Sequence, residues 1–345
     1  MPPATDPRRI LAFSAIVSAA VLMVVVYARY VRSHEASAAL HAKSAVDDAA
    51  TLSTVRVRPH LLFRSTALGP AYGHLAIVPL DAPEGKRYVT GLSCDRVHAT
   101  AMAGLCLSAA RGVFTTYRAD EFDRDFKVVR EFPLEGVPSR TRVAADGSLA
   151  VATVFVSGDS YAVDSFSTRT TLFDLRAGRL LANLEEFTVE MDGRPLKRPD
   201  FNFWGVTFSA DPDRFYAVLA SARRLHLVEG QVSTRRIRII REGIECPSLS
   251  PDGQRIAFKA RMPGNTRLVW QLHVLNLRTN AEAVVNESRS VDDQAEWLDG
   301  NHVLYSLPRE ANGDGSSDVW VAPADGVGKS RLLVADAFSP AVVRP

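Results

Sequence analysis

From about residue 92 onward one sequence unit returns five times: a strand-forming run, a tight polar turn, then an apolar alternating strand. Its clearest copy is PSLSPDGQRIAFKA, Pro247 to Ala260, with Asp252-Gly253 at the turn. AEWLDGNHVLYS (Ala295 to Ser306), TRVAADGSLAVATV (Thr141 to Val154) and GVTFSADPDRFYAVLA (Gly205 to Ala220) repeat it, and VHATAMAGLCLSA from Val97 is a weaker copy. The turn positions Met102, Asp146, Asp211, Asp252 and Asp299 stand about 40 to 47 residues apart except for one longer gap, the period of propeller blades in a β-rich chain. The longer gap, between Asp146 and Asp211, holds VEMDGRPLKRPDFN as an insertion.

Each unit continues into a second hairpin, as in TTLFDLRAGRLLANL, LHLVEGQVSTRRIRII, LHVLNLRTNAEAVVN and DVWVAPADGVGKSRLLV. Four strands with apolar residues on both faces make a blade that must pack between two neighbours, so the units have to close into a ring. Five units are complete, and the two ends of the repeat region supply a sixth. LLFRSTA, GHLAIVPL and KRYVTGL (61–92) are three strands lacking an innermost partner, and FSPAVVRP (338–345) is an innermost strand with nothing after it. The expected fold is an all-β, six-bladed propeller over residues 58–345, closed by the strand at 338–345.

The Ser-Pro-Asp-Gly-x-x-Ile-Ala-Phe unit, present as SPDGQRIAF from Ser250 to Phe258, resembles the PD-type repeat of the Tol-Pal translocation (TolB-like) propellers, as does WLDGNHVLYS. The resemblance covers about residues 58–345 and implies a TolB-like propeller that contacts partner proteins of the cell envelope. Peptidase relatives carry an α/β-hydrolase domain after the propeller, and none is expected here. The nearest approach to a nucleophile elbow, Gly158-Asp159-Ser160-Tyr161-Ala162, lacks the second glycine and falls between strands of a blade.

Ahead of the repeats, ILAFSAIVSAAVLMVVVY from Ile10 to Tyr27 carries no charge. As a helix rising about 1.5 Å per residue it reaches roughly the ~30 Å of a bilayer core. Residues 1–32 therefore read as a signal anchor with a transmembrane helix at 10–27, followed by an Ala- and Ser-rich linker at 33–57. Arginines flank the helix on both sides (Arg8, Arg9, Arg29, Arg32), so the charge rule sets no orientation. The alternative is a secretory signal cleaved at Ala36-Ser37-Ala38, giving a secreted protein. His34, Glu35 and His41 lack the spacing that puts two imidazoles on one helix face. Against 41 basic residues stand 39 acidic ones, for a net charge of +2, so no electrostatic case exists for nucleic acid.

Cys94 and Cys106 bracket the start of one blade, and a disulfide closing that loop would contribute roughly 3 kcal/mol in an oxidising compartment. Cys246 is left over as a small apolar strand residue. The expected location is thus a single-pass cell-membrane protein with its propeller on the extracytoplasmic side. Ligands of propellers sit at the ring axis, and the residues opening each innermost strand are His98, Arg140, Asn202, Glu245 and Asp293. They form no carboxylate pair, histidine cluster or triad, which favours a non-enzymatic, protein-binding scaffold. The alternative is a propeller hydrolase or lyase with a metal in its central funnel. A second candidate is calcium at EANGDGSSDVW, where Glu310, Asn312, Asp314 and Asp318 occupy positions 1, 3, 5 and 9 of a calcium-loop pattern without its acid at position 12.

Overall fold

The computed structural model describes residues 21–27, 52–156, 167–262, 269–309 and 315–345, in two separate units, 1–51 and 52–345. In the first, residues 21–27 are helical with Val21 to Tyr27 exposed. Among the described residues no helix is long and apolar enough to cross a membrane, and most of the 10–27 span lies outside them.

The second unit is a six-bladed propeller. Blades 2 to 6 are read off in chain order, with innermost strands at Arg96–Ala99, Val137–Val143, Asn202–Phe208, Glu245–Leu249 and Glu296–Trp297. Blade 1 joins both ends of the unit: Ala337–Val343 lies innermost and pairs antiparallel with His60–Ser65, followed by His74–Pro79 and Tyr88–Ser93. The innermost strands contact one another in sequence round the axis, including blade 6 against blade 1 and blade 1 against blade 2. The segment read as linker up to residue 57 is helical within 52–55, and Val55 is buried against blades 1 and 2.

Strand alternation fills both faces of every blade. In blade 1, Leu61, Phe63, Ala76 and Val78 pack on Leu304, Val319 and Val321 of blade 6. The intervening Leu62, Leu75 and Ile77 pack on Val97, Ala99 and Phe122 of blade 2. Blades 2 and 3 meet through Leu105, Leu107 and Phe132 against Val143, Ala150 and Phe173, and blades 3 and 4 through Val151 and Leu172 against Phe203, Phe215 and Val228. The insertion after blade 3 becomes a hairpin, Thr188–Met191 and Arg194–Leu196. Its first strand pairs parallel with Arg236–Glu242, widening blade 4 to six strands. Pro195 lies on the new edge, where a missing N–H blunts further pairing.

The repeated aspartates close their own turns. Asp146 accepts the Ser148 N–H at 3.0 Å, Asp252 the Gln254 N–H at 3.0 Å, and Asp299 the Asn301 and His302 N–H groups at 2.7 and 2.9 Å. This self-capping is why an Asp recurs at the period.

Candidate functional site

Because alternate residues of a strand point the same way, Arg96 and His98 of blade 2 and Arg140 and Arg142 of blade 3 face the axis as i, i+2 pairs, and with Asp293 and Glu296 of blade 6 they fill the channel in two layers. The layer nearer the strand starts holds Arg96, Arg140 and Asp293. Arg96 donates to Asp293 at 3.0 Å, and Arg140 Nε stands 4.0 Å from the same carboxylate. Burial pushes the Asp293 carboxyl up, but the two guanidiniums outweigh it and hold it below the usual carboxylate range. Burial, helped by repulsion from Arg140, lowers Arg96 to about 10. Arg140 Nε and Asp293 Oδ2 are buried without a hydrogen-bond partner among the described residues. They line a cavity of about 30 Å³, room for a water or two.

The next layer holds His98, Arg142, Ser248 and Glu296. Arg142 pairs with Glu296 and donates to the Ala295 carbonyl at 3.1 Å. The Val143 N–H donates to His98 Nδ1 at 3.1 Å, so the ring proton sits on Nε2, 3.6 Å from Glu296. Burial and then Arg142 push His98 below its ordinary value. Burial raises Glu296, yet Arg142 and His98 prevail and bring it to about 2. Gln294 ties the layers to backbone through the Val206 and Pro247 carbonyls, at 3.1 and 2.8 Å.

Four innermost strands carry one extra residue relative to their partners, at Pro138/Arg140, Trp204/Thr207, Glu245/Ser248 and opposite Leu62/Arg64. Such bulges bend a strand and re-aim its side chains. Three of them place a residue at left-handed φ: Gly205 at 61°, Cys246 at 49° and Ser339 at 54°. A Cβ on Gly205 would lie 2.8 Å from the Cys246 Cα, so adjacent bulges touch backbone to backbone and only glycine fits.

Of the five residues expected at the axis, the structure brings Arg140 and Asp293 together, and His98 sits one layer deeper. Glu245 pairs with Lys259 at 3.0 Å, with burial raising its carboxyl. Asn202 does not join them: it accepts the Thr168 N–H at 2.7 Å across the seam between blades 3 and 4. Taking one residue per blade passes over Arg96, Arg142 and Glu296; the i, i+2 alternation marks Arg96 from His98 and Arg142 from Arg140, whereas Glu296 stands three residues from Asp293. The wider opening is also at the other end from the one expected. On the turn face, where innermost strands run into the Asp-Gly turns, a funnel of about 300 Å³ has Arg142, Glu296 and His98 at its floor and Phe208, Leu249 and Trp297 among its walls.

Glu310, Asn312, Asp314 and the 158–162 loop lie outside the described residues. Asp318, the described member of the calcium pattern, is already engaged, accepting Arg309 Nε and the Asp336 N–H, each at 2.8 Å. Among the described residues no group of three or more His, Cys, Asp or Glu is placed to hold a metal ion. Cys94 and Cys106 are disulfide-bonded with Cα atoms 5.4 Å apart, and Cys246 is free and buried.

No protein-family model matches the sequence, and no curated protein matches it. Among solved structures it is similar to TolB from Acinetobacter baumannii, with 15% identity and a TM-score of 0.57 over 84% of this chain and 67% of that one. It is also similar to a chain of a nidogen/laminin complex, with 10% identity and a TM-score of 0.53 over 82% of this chain and 98% of that one. Six blades built on four strands each, one widened by an inserted hairpin and one assembled from both ends of the unit, together with this likeness give the chain the fold of a TolB-like six-bladed β-propeller.

Proposed function

We propose that the chain is a non-enzymatic scaffold, tethered to the cell membrane by residues 10–27, whose propeller docks a protein partner on the extracytoplasmic side. The observation that carries this reading is the turn-face funnel. Its charged floor is internally paired, through Arg142 and Glu296, and apolar side chains, the accessible Leu249 and Pro251 among them, also line it. A floor already neutralised suits recognition by shape and burial, the mode of a partner loop seated in a pocket. Support comes also from the neighbouring folds, TolB and a chain from a two-protein complex. The disulfide fits an oxidising compartment.

The test uses in-cell cross-linking of the full chain. Ala145 and Ala210 line the funnel and are exposed, so Ala145→Trp and Ala210→Trp block it without disturbing the core. The expected result is loss of the partner cross-link in both variants and its retention in Phe114→Ser, on a loop at the other face. Cross-links unchanged by filling the funnel would reject the assignment. Protease digestion of intact cells that spared the propeller would reject the topology.

A further inference from the structure

Between blades 1 and 2 lies a cavity of about 180 Å³ that the funnel reading does not use. Leu62, Phe122, Phe126 and Val343 contribute apolar walls, with the Phe122 and Phe126 rings stacked at 6.0 Å. His60 also lines it and is only 4% exposed. Its Nδ1 lies 2.7 Å from the Arg58 carbonyl, which can only accept, so the ring proton is on Nδ1 and Nε2 carries a lone pair. Among the described residues nothing partners that Nε2. Arg56 lines the same cavity, bound through Nη1 to the Arg124 carbonyl at 3.0 Å and paired with Asp125, while its Nε is buried without a partner.

A largely apolar pocket, partly open to solvent and slightly larger than the ~150 Å³ that accepts benzene, thus offers one unpartnered acceptor with the Arg56 guanidinium in its wall. A hydroxyl suits this lining, since its O–H donates to an imidazole nitrogen and its oxygen accepts from a guanidinium N–H. The geometry points to a small-molecule site for a phenol, the ring lying against Phe122 and Phe126 and the hydroxyl meeting His60 and Arg56. Burial keeps His60 in the neutral form that accepts, outweighing the Arg58 carbonyl.

The experiment titrates the full chain with phenol and with toluene, its hydroxyl-free isostere, following the methyl signal of Met102, which lines the cavity. Phenol is expected to saturate the shift and bind about tenfold more tightly than toluene, as one or two buried hydrogen bonds require. His60→Phe and Arg56→Met are expected to narrow that ratio, with toluene binding retained as evidence that the cavity persists. Equal affinity for the two, or no saturable shift up to roughly 10 mM, overturns the proposal. The wild-type comparison decides even where a variant does not fold, and either outcome leaves the funnel reading standing or falling on its own test.

Discussion

Every seam between blades is built alike, while the channel at their common axis is built differently at each blade. The seams are apolar, alternate with period two, and bury Leu, Val and Phe from both sides. The axis is polar, bulged and crosslinked by ion pairs between blades distant in sequence, such as Arg142 with Glu296 and Arg96 with Asp293. Repetition therefore makes the ring, and departures from repetition make the site. The seam between blades 6 and 1 belongs to the first class although its strands come from opposite ends of the unit.

The largest expected effect comes from attacking that seam. Removing residues 338–345 takes away most of an innermost strand and uncovers apolar faces of blades 1, 2 and 6, so the variant is expected not to fold cooperatively, as read by urea unfolding. Glu296→Ala attacks the axis instead. It leaves Arg142 buried without its counter-charge, and a loss of about 3 to 5 kcal/mol is expected in the same measurement. Gly205→Ala tests whether bulges touch through backbone; forcing a Cβ at left-handed φ against Cys246 should cost roughly 1 to 3 kcal/mol.

The smallest effect concerns pH. His98 has its folded pKa depressed below 6.5, by burial and then by Arg142, so the unfolded chain takes up the proton first as pH falls. The stability linked to this group is complete above about pH 7 and is lost as pH drops through 6.5 toward the folded value. His60 and His226 shift the same way. His98→Asn, which can still accept from the Val143 N–H, should therefore remove only part of the slope of unfolding free energy between about pH 7 and 5.5.

The same contrast explains what the sequence made legible. Blade number, the Asp turns and the completion of blade 1 by FSPAVVRP follow from local alternation and self-similarity, which the chain carries in its one-dimensional order. The insertion was visible as a long gap, but its parallel pairing with Arg236–Glu242 depends on a neighbour 40-odd residues away. At the axis, reading one residue per strand found His98, Arg140 and Asp293 and passed over Arg96, Arg142 and Glu296, because a strand offers the channel more than one side chain. Asn202 was placed at the axis because it opens an innermost strand, and instead it seals a seam. Bulges at Gly205, Cys246 and Ser339 leave no periodic mark, so the geometry of the site lies in tertiary contacts alone.

Native-state hydrogen exchange of the full chain tests ring closure most directly. If the terminal strand is an integral part of blade 1, amides of Leu61, Leu62 and Ala341 to Val343 exchange only through global unfolding, as slowly as Val151 and Ala152 in blade 3. Exchange at 337–343 about a hundredfold faster than in blade 3, through local opening, would contradict the account.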